Sequence, residues 1–188
     1  LVARDTLRPF DARHDGSLLG EGAAALVLET AASAAARGAT VLGEYLGGGD
    51  ASDGEGILAI RADGDGPARA IEAALADAGI VAGDVGMIVA HGNGTPQSDA
   101  SEAAALRRVF GAAGPPVTAF KWSTGHLLAA SGILDVAVGL EALRRRVVPG
   151  VATFAAADAA CDGIAVSGAA QAARSDVALV VCRGFGGT

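Results

Sequence analysis

The chain has 188 residues, 51% of them hydrophobic and 19% charged, with a formal net charge of −7. That is enough apolar material for one sizeable core or a large part of a bigger one. The acidic balance argues against nonspecific nucleic-acid binding, which needs a basic face.

The same balance fits a cytoplasmic protein. An acidic partner would then need a local basic patch. The clustered candidates are Arg107 with Arg108, and Arg144 with Arg145 and Arg146. Both clusters also suit helix C-termini, where cations complement the helix dipole. Cys161 and Cys182 form no CxxC pair, and His14, His91 and His126 are widely spaced. Neither a disulfide scaffold nor a metal site is expected, and no cofactor is implied.

In chain order, "AAALVLE" (23–29) reads as a short buried strand. An Ala-rich helix over 30–37 follows, closed by Gly38, and "TVLGEYLGG" (40–48) is a second candidate strand. A Gly- and Asp-rich loop region covers 49–66. Residues 67–78 suit an amphipathic helix, with Pro67 at its first position and Gly79 at its end. "GMIVA" (86–90) is a strand, "HGNGTPQS" a turn, and 99–110 a helix. In "DASE", Asp99 and Glu102 have the spacing of a capping box. "VTAF" (117–120) is a strand, and 125–146 a long helix stopped before Pro149. The apolar run 127–140 is too short for a membrane span and reads as a helix buried on every side. Residues 151–176 carry little signal, and "VALVVC" (177–182) is the last strand. Continuous apolar strands between helices indicate a largely parallel sheet covered on both faces.

Three strand ends then coincide. His91 follows "GMIVA"; Lys121 follows "VTAF", with His126 five residues on; "GFGG" follows Cys182. Parallel α/β sheets bind ligands outside the carboxyl ends of their strands. Each histidine also has a structural explanation, as a turn residue or as a partner of a helix N-terminus. An imidazole at the positive end of a helix dipole stays neutral, and a neutral ring can both donate and accept. The glycines after Arg183 let backbone N–H groups approach a ligand.

Four blocks resemble β-ketoacyl synthases, the condensing enzymes of fatty-acid and polyketide synthesis. "RPFDARHDGSLLGEGAAALVLE" resembles the family's RPFD…RDG…GEGA…VLE block, and "AHGNGTPQSDASE" its AHGTGT…ND…E block. "KWSTGHLLAASG" resembles K…TGHxxxAxG, and "GFGGT" the closing GFGGTN. The resemblance implies a thiolase-like αβαβα sandwich, usually a homodimer. This chain would supply the end of the N-terminal half (1–38) and the C-terminal half (39–188).

The implied reaction is a decarboxylative Claisen condensation between a cysteine-bound acyl group and a malonyl thioester on an acyl carrier protein. By motif position, His91 and His126 would hold the malonyl thioester carbonyl and stabilise the enolate. Lys121 would tune the site, paired with Glu102, while Thr95 and Asp99 support the turn. Phe185 and Gly186 would supply an oxyanion contact and a gate. Asn93, Ser98 and Ser17 depart from the family pattern, and the loop 49–62 lacks its DAxH feature. The nucleophilic cysteine belongs to a block that would precede this chain, so the 188 residues alone are expected to be inactive. The alternative is a chain-length-factor-like partner subunit, which acts by pairing with an active synthase. Such subunits usually lose one of the positions that His91, Lys121 and His126 retain here.

Overall fold

The computed structural model describes residues 2–184. Helix α1 (Ala31–Ala36) starts where Thr30 accepts the Ser33 N–H, and Gly38 leaves it at φ +66°. Helix α2 (Asp65–Ala78) begins two residues earlier than Pro67 suggests, because Asp63 accepts the Asp65 N–H and Gly64 turns left-handed. A side chain at Gly64 would collide with Ser101 O, so the start of α2 sits directly on α3 (Pro96–Phe110). Ala68, Ile71 and Leu75 form the buried stripe of α2.

Four short parallel strands make the main sheet. They are β1 (Met87–Val89), β2 (Pro116–Thr118), β4 (Ala165–Val166) and β6 (Ala178–Val180), in the order β4-β2-β1-β6. The register places Ile88 opposite Val117 and Leu179. A small antiparallel pair, β3 (Val147–Val148) with β5 (Gln171–Ala172), lies apart. Side chains alternate across β1. Ile88 and Ala90 pack with Leu75 of α2 and Leu106 of α3, whereas Met87 and Val89 pack with Ala142 of α5 (Ser131–Arg145). The sheet is therefore covered on both faces, as the continuous apolar strands required.

Three expectations change. Residues 23–29 and 40–48 are irregular and not strands, since neither has a ladder partner among the described residues. Val27 (86%), Leu28 (82%) and Leu42 (78%) consequently lie exposed. The long helix over 125–146 is broken: α4 (Lys121–Thr124), a 3-10 turn at Leu128–Ala130, then α5. Gly125, at φ +72°, ends α4. Finally, α5 is buried on one face only, through Ser131, Asp135, Gly139 and Ala142, and Ile133 is exposed. Among the described residues no helix is long and apolar enough to cross a membrane.

Leu106 is 2% exposed and closes the core between α3 and the sheet. Leu106→Ala should cost about 2–5 kcal/mol in urea denaturation, through lost transfer energy plus a cavity. A loss well under 1 kcal/mol would show that α3 does not close this core.

Candidate active site

The turn after β1 is built by two carboxylates from α3. Glu102 accepts the His91 N–H (2.7 Å) and the Gly92 N–H (2.9 Å), one on each oxygen. Asp99, one helical turn earlier, accepts the Gly94 N–H (3.1 Å), the Phe10 N–H (2.8 Å) and His14 Nδ1 (2.9 Å). The capping-box reading of these two residues is therefore wrong. Pro96 opens α3 and Thr95 is its cap residue, so Asp99 lies inside the first turns. Thr95 supports the turn differently, by donating its hydroxyl to Asn93 Oδ1 at 2.8 Å. Burial pushes the Glu102 carboxyl up to about 7, against the pull of its two backbone donors.

Lys121 enters from the end of β2. Its ammonium is buried and donates to Asp135 Oδ2 at 3.1 Å, both side chains being 2% exposed. The expected Lys121–Glu102 pair is thus replaced by Lys121–Asp135. Glu102 is already engaged by two backbone donors, and Asp135 lies on the buried face of α5. Burial holds the Asp135 carboxyl above its ordinary value, partly offset by the Lys121 ammonium.

His126 is not at the start of a long helix. It bridges in parallel to Leu19, donating its N–H to Leu18 O (2.7 Å) and accepting the Gly20 N–H (3.2 Å). This contact requires glycine on both sides. A side chain at Gly20 would collide with Thr124 O, and one at Gly125 would sit 2.7 Å from Gly20 Cα. The His126 ring then meets the start of α5, with Nδ1 3.0 Å from Ser131 Oγ. Ser131 Oγ accepts the Leu127 N–H at 2.9 Å, so its hydroxyl proton is free to point at the ring.

The two imidazoles meet edge to face with centroids 5.3 Å apart. His91 Nδ1 accepts the Arg183 N–H at 3.3 Å, and His126 Nδ1 accepts from Ser131 and the Leu128 N–H. Both rings therefore keep their proton on Nε2. Burial and the charges of Lys121, His126 and Arg183 hold His91 well below the ordinary imidazole range. Burial and Lys121 lower His126 in the same way. The result is two neutral N–H donors side by side at the carboxyl edge of the sheet. Such a pair suits an oxygen that gains negative charge during a reaction.

The third histidine stands apart, in a cluster the sequence did not reveal. His14, Asp158 and Cys161 bring potential ligand atoms within 4.8 Å of one another. The ring is already held by Asp99, and Nε2 lies 3.8 Å from Asp158. Burial works against a charged His14, but Asp99, Asp158 and Asp11 outweigh it and raise its pKa. Burial also pushes the Cys161 thiol up to about 12, far from the thiolate a nucleophile needs. Burial pushes the Asp99 carboxyl up as well, so His14 and Asp99 share a buried hydrogen bond beside a thiol held in its protonated form. Phe185 and Gly186 lie outside the described residues.

The chain matches the family profile described as "Beta-ketoacyl synthase, C-terminal domain" over residues 42–155. The chain belongs to the β-ketoacyl synthases. It is 40% identical over 182 residues to 3-oxoacyl-(acyl-carrier-protein) synthase 2 of Synechocystis sp., covering 96% of this chain and 44% of that one. The ishigamide ketosynthase/chain length factor superposes with a TM-score of 0.90 at 35% identity, covering 99% of this chain and 46% of that one. A type II polyketide ketosynthase bound to its hexaketide and in complex with its acyl carrier protein superposes with a TM-score of 0.89 at 28% identity, covering 100% and 47%. The fold is accordingly the thiolase-like fold of ketosynthases. The chain spans less than half the length of the relatives it matches.

Lys121→Met would leave Asp135 buried without its counter-charge. The expected loss is about 3–5 kcal/mol by urea denaturation. Lys121→Met with Asp135→Leu should recover most of that stability. If the single variant unfolds like the wild type, Asp135 does not depend on Lys121.

Proposed function

We propose that this chain forms the C-terminal part of a ketosynthase that condenses an acyl thioester with a malonyl thioester. The paired Nε2–H donors of His91 and His126 carry this reading. The acyl group would sit on a cysteine outside these 188 residues. Malonyl carried by an acyl carrier protein would bind with its thioester carbonyl oxygen between the two rings. Loss of CO₂ moves an electron pair into that carbonyl, and both N–H donors hold the resulting enolate oxygen. The enolate carbon then attacks the acyl carbonyl and expels the cysteine thiolate. The product is a β-ketoacyl thioester on the carrier. Lys121 would touch no substrate. Its charge disfavours imidazolium and keeps both rings in the donor form.

The same reading gives the domain organisation. Residues 1–38 belong to the first half of the sandwich and 39–188 to the second. The exposed segments 23–29 and 40–48 and the open face of α5 support this, because each offers apolar surface for a further layer. Exposed apolar side chains grouped in this way mark an interaction surface. The assembled protein would be a dimer. Retention of both histidines and Lys121 favours a catalytic subunit over a chain-length-factor-like one.

The test uses full-length protein with acyl and malonyl carrier protein. His91→Ala and His126→Ala should each lower condensation about 10²–10³-fold, the usual cost of one oxyanion donor. The rate should be flat at neutral pH. It should fall only in acid, where the rings protonate and stop matching the enolate. The isolated 188 residues should show no condensation. Full activity in either histidine variant would remove the proposed roles.

A further inference from the structure

Arg183 lies just past β6 and reaches the loop before α2. Its Nη2 meets Asp53 Oδ2 at 2.6 Å, with side-chain exposures of 8% and 0%. Asp53 Oδ2 also accepts the Arg61 N–H at 3.3 Å, which closes the loop 53–61 on itself. Arg69 of α2 pins the same loop by donating to Ser52 O at 2.7 Å. The pair is imperfectly satisfied: Arg183 Nη1 and Asp53 Oδ1 are buried without a hydrogen-bond partner. Buried ion pairs break even in stability at best, and less when half their polar atoms are unmet. Stability alone does not account for this one, and its place in the site does. The backbone N–H of the same arginine holds His91 Nδ1.

We propose that Arg183 and Asp53 form a positioning pair for His91, Arg183 holding the ring from its Nδ1 side and Asp53 tying Arg183 to the loop 53–61. The inference rests on the ketosynthase reading for its kinetic consequences. It does not need that reading for its electrostatic ones. The groups facing His91 are Glu102 from α3, Lys121 from α4 with Asp135 from α5 behind it, His126, and Arg183 with Asp53 behind it. Arg183 contributes positive charge that disfavours the imidazolium, and the Asp53 carboxylate paired with it carries the opposite charge.

Opposite variants should therefore move His91 in opposite directions. Arg183→Met removes the cation, so His91 should protonate at higher pH than in the wild type. Asp53→Asn unmasks the guanidinium, so His91 should protonate at lower pH. Arg183→Lys should restore the wild-type direction. A pair that only braced the fold would move neither, or both the same way.

The measurement is histidine C2-hydrogen exchange by mass spectrometry on the full-length protein, which reads His91 whether or not the enzyme turns over. Amide exchange in the same samples should rise across 53–61 in both Arg183→Met and Asp53→Asn. In the condensation assay the acid limb should follow His91. In both variants kcat should fall about 10-fold, in keeping with a small misplacement of a catalytic group, while KM for malonyl carrier protein holds. Shifts in the same direction, or an unchanged amide pattern, would overturn the proposal. A wild type that titrates and exchanges as described but never condenses would instead overturn the functional reading. If Arg183→Met does not fold, Asp53→Asn and Arg183→Lys still decide the electrostatic question.

Discussion

The site depends on keeping one buried imidazole, His91, and one half-buried imidazole, His126, uncharged while surrounding them with charge. A ring that donates from Nε2 must accept at Nδ1, and it must not protonate when an anion forms nearby. The fold meets both conditions with few groups. Backbone N–H groups and one serine hydroxyl face the Nδ1 atoms. Lys121 supplies positive charge without touching either ring through a hydrogen bond, because Asp135 holds its ammonium. Burying a lone ammonium would cost several kcal/mol. The Asp135 carboxylate makes the placement tolerable, and the charge of the lysine still disfavours protonation of both rings.

Helix α3 performs the complementary task. Glu102 and Asp99 are spent on backbone N–H groups of turns, not on side-chain catalysis. A buried carboxylate with two N–H donors fixes a turn far more firmly than a backbone carbonyl, since charged acceptors make stronger bonds. Glu102 sets the direction of His91, and Asp99 fastens the same turn to Phe10 and His14. Phe10 itself sits at φ +61°, unfavourable for a residue with a side chain. The Asp99 bond to its N–H is part of what holds it there.

Much of this was legible in the sequence, and the exceptions have physical reasons. The apolar runs at 86–90, 117–120 and 177–182 announced parallel strands, and the polar residues after each marked the functional edge. Glu102 and Asp99 were misread because a capping box and one buried helix face share the same i, i+3 spacing. Pro96 was the available discriminator, as proline favours the first helical turn and places Asp99 too deep for a cap. The Lys121 partner was missed for a similar reason. Asp135 lies in an apolar run that reads as buried on every side, so nothing in the run singles out its carboxylate as a partner. Yet Ser131, Asp135, Gly139 and Ala142 follow helical spacing along one face, and that face is the buried one. Polar residues on the buried stripe of a helix are the signal, and here both serve the site.

The irregular segments 23–29 and 40–48 show where local sequence stops being enough. Their β-branched and aliphatic residues satisfy strand propensity, but a strand also needs a neighbour to take its N–H and C=O groups. Propensity is local and the ladder is not. The same non-local logic reaches the site itself. His126 is placed by Leu18, Leu19 and Gly20, which the domain division assigns to the first half, while its ring is oriented by Ser131 of the second. The close approach of Gly20 to Gly125 makes that seam rigid, since neither position tolerates even one added carbon. On the proposed domain division, one of the two proposed oxyanion donors depends on chain from both halves, and a displacement between them would misaim His126 before it disturbed His91.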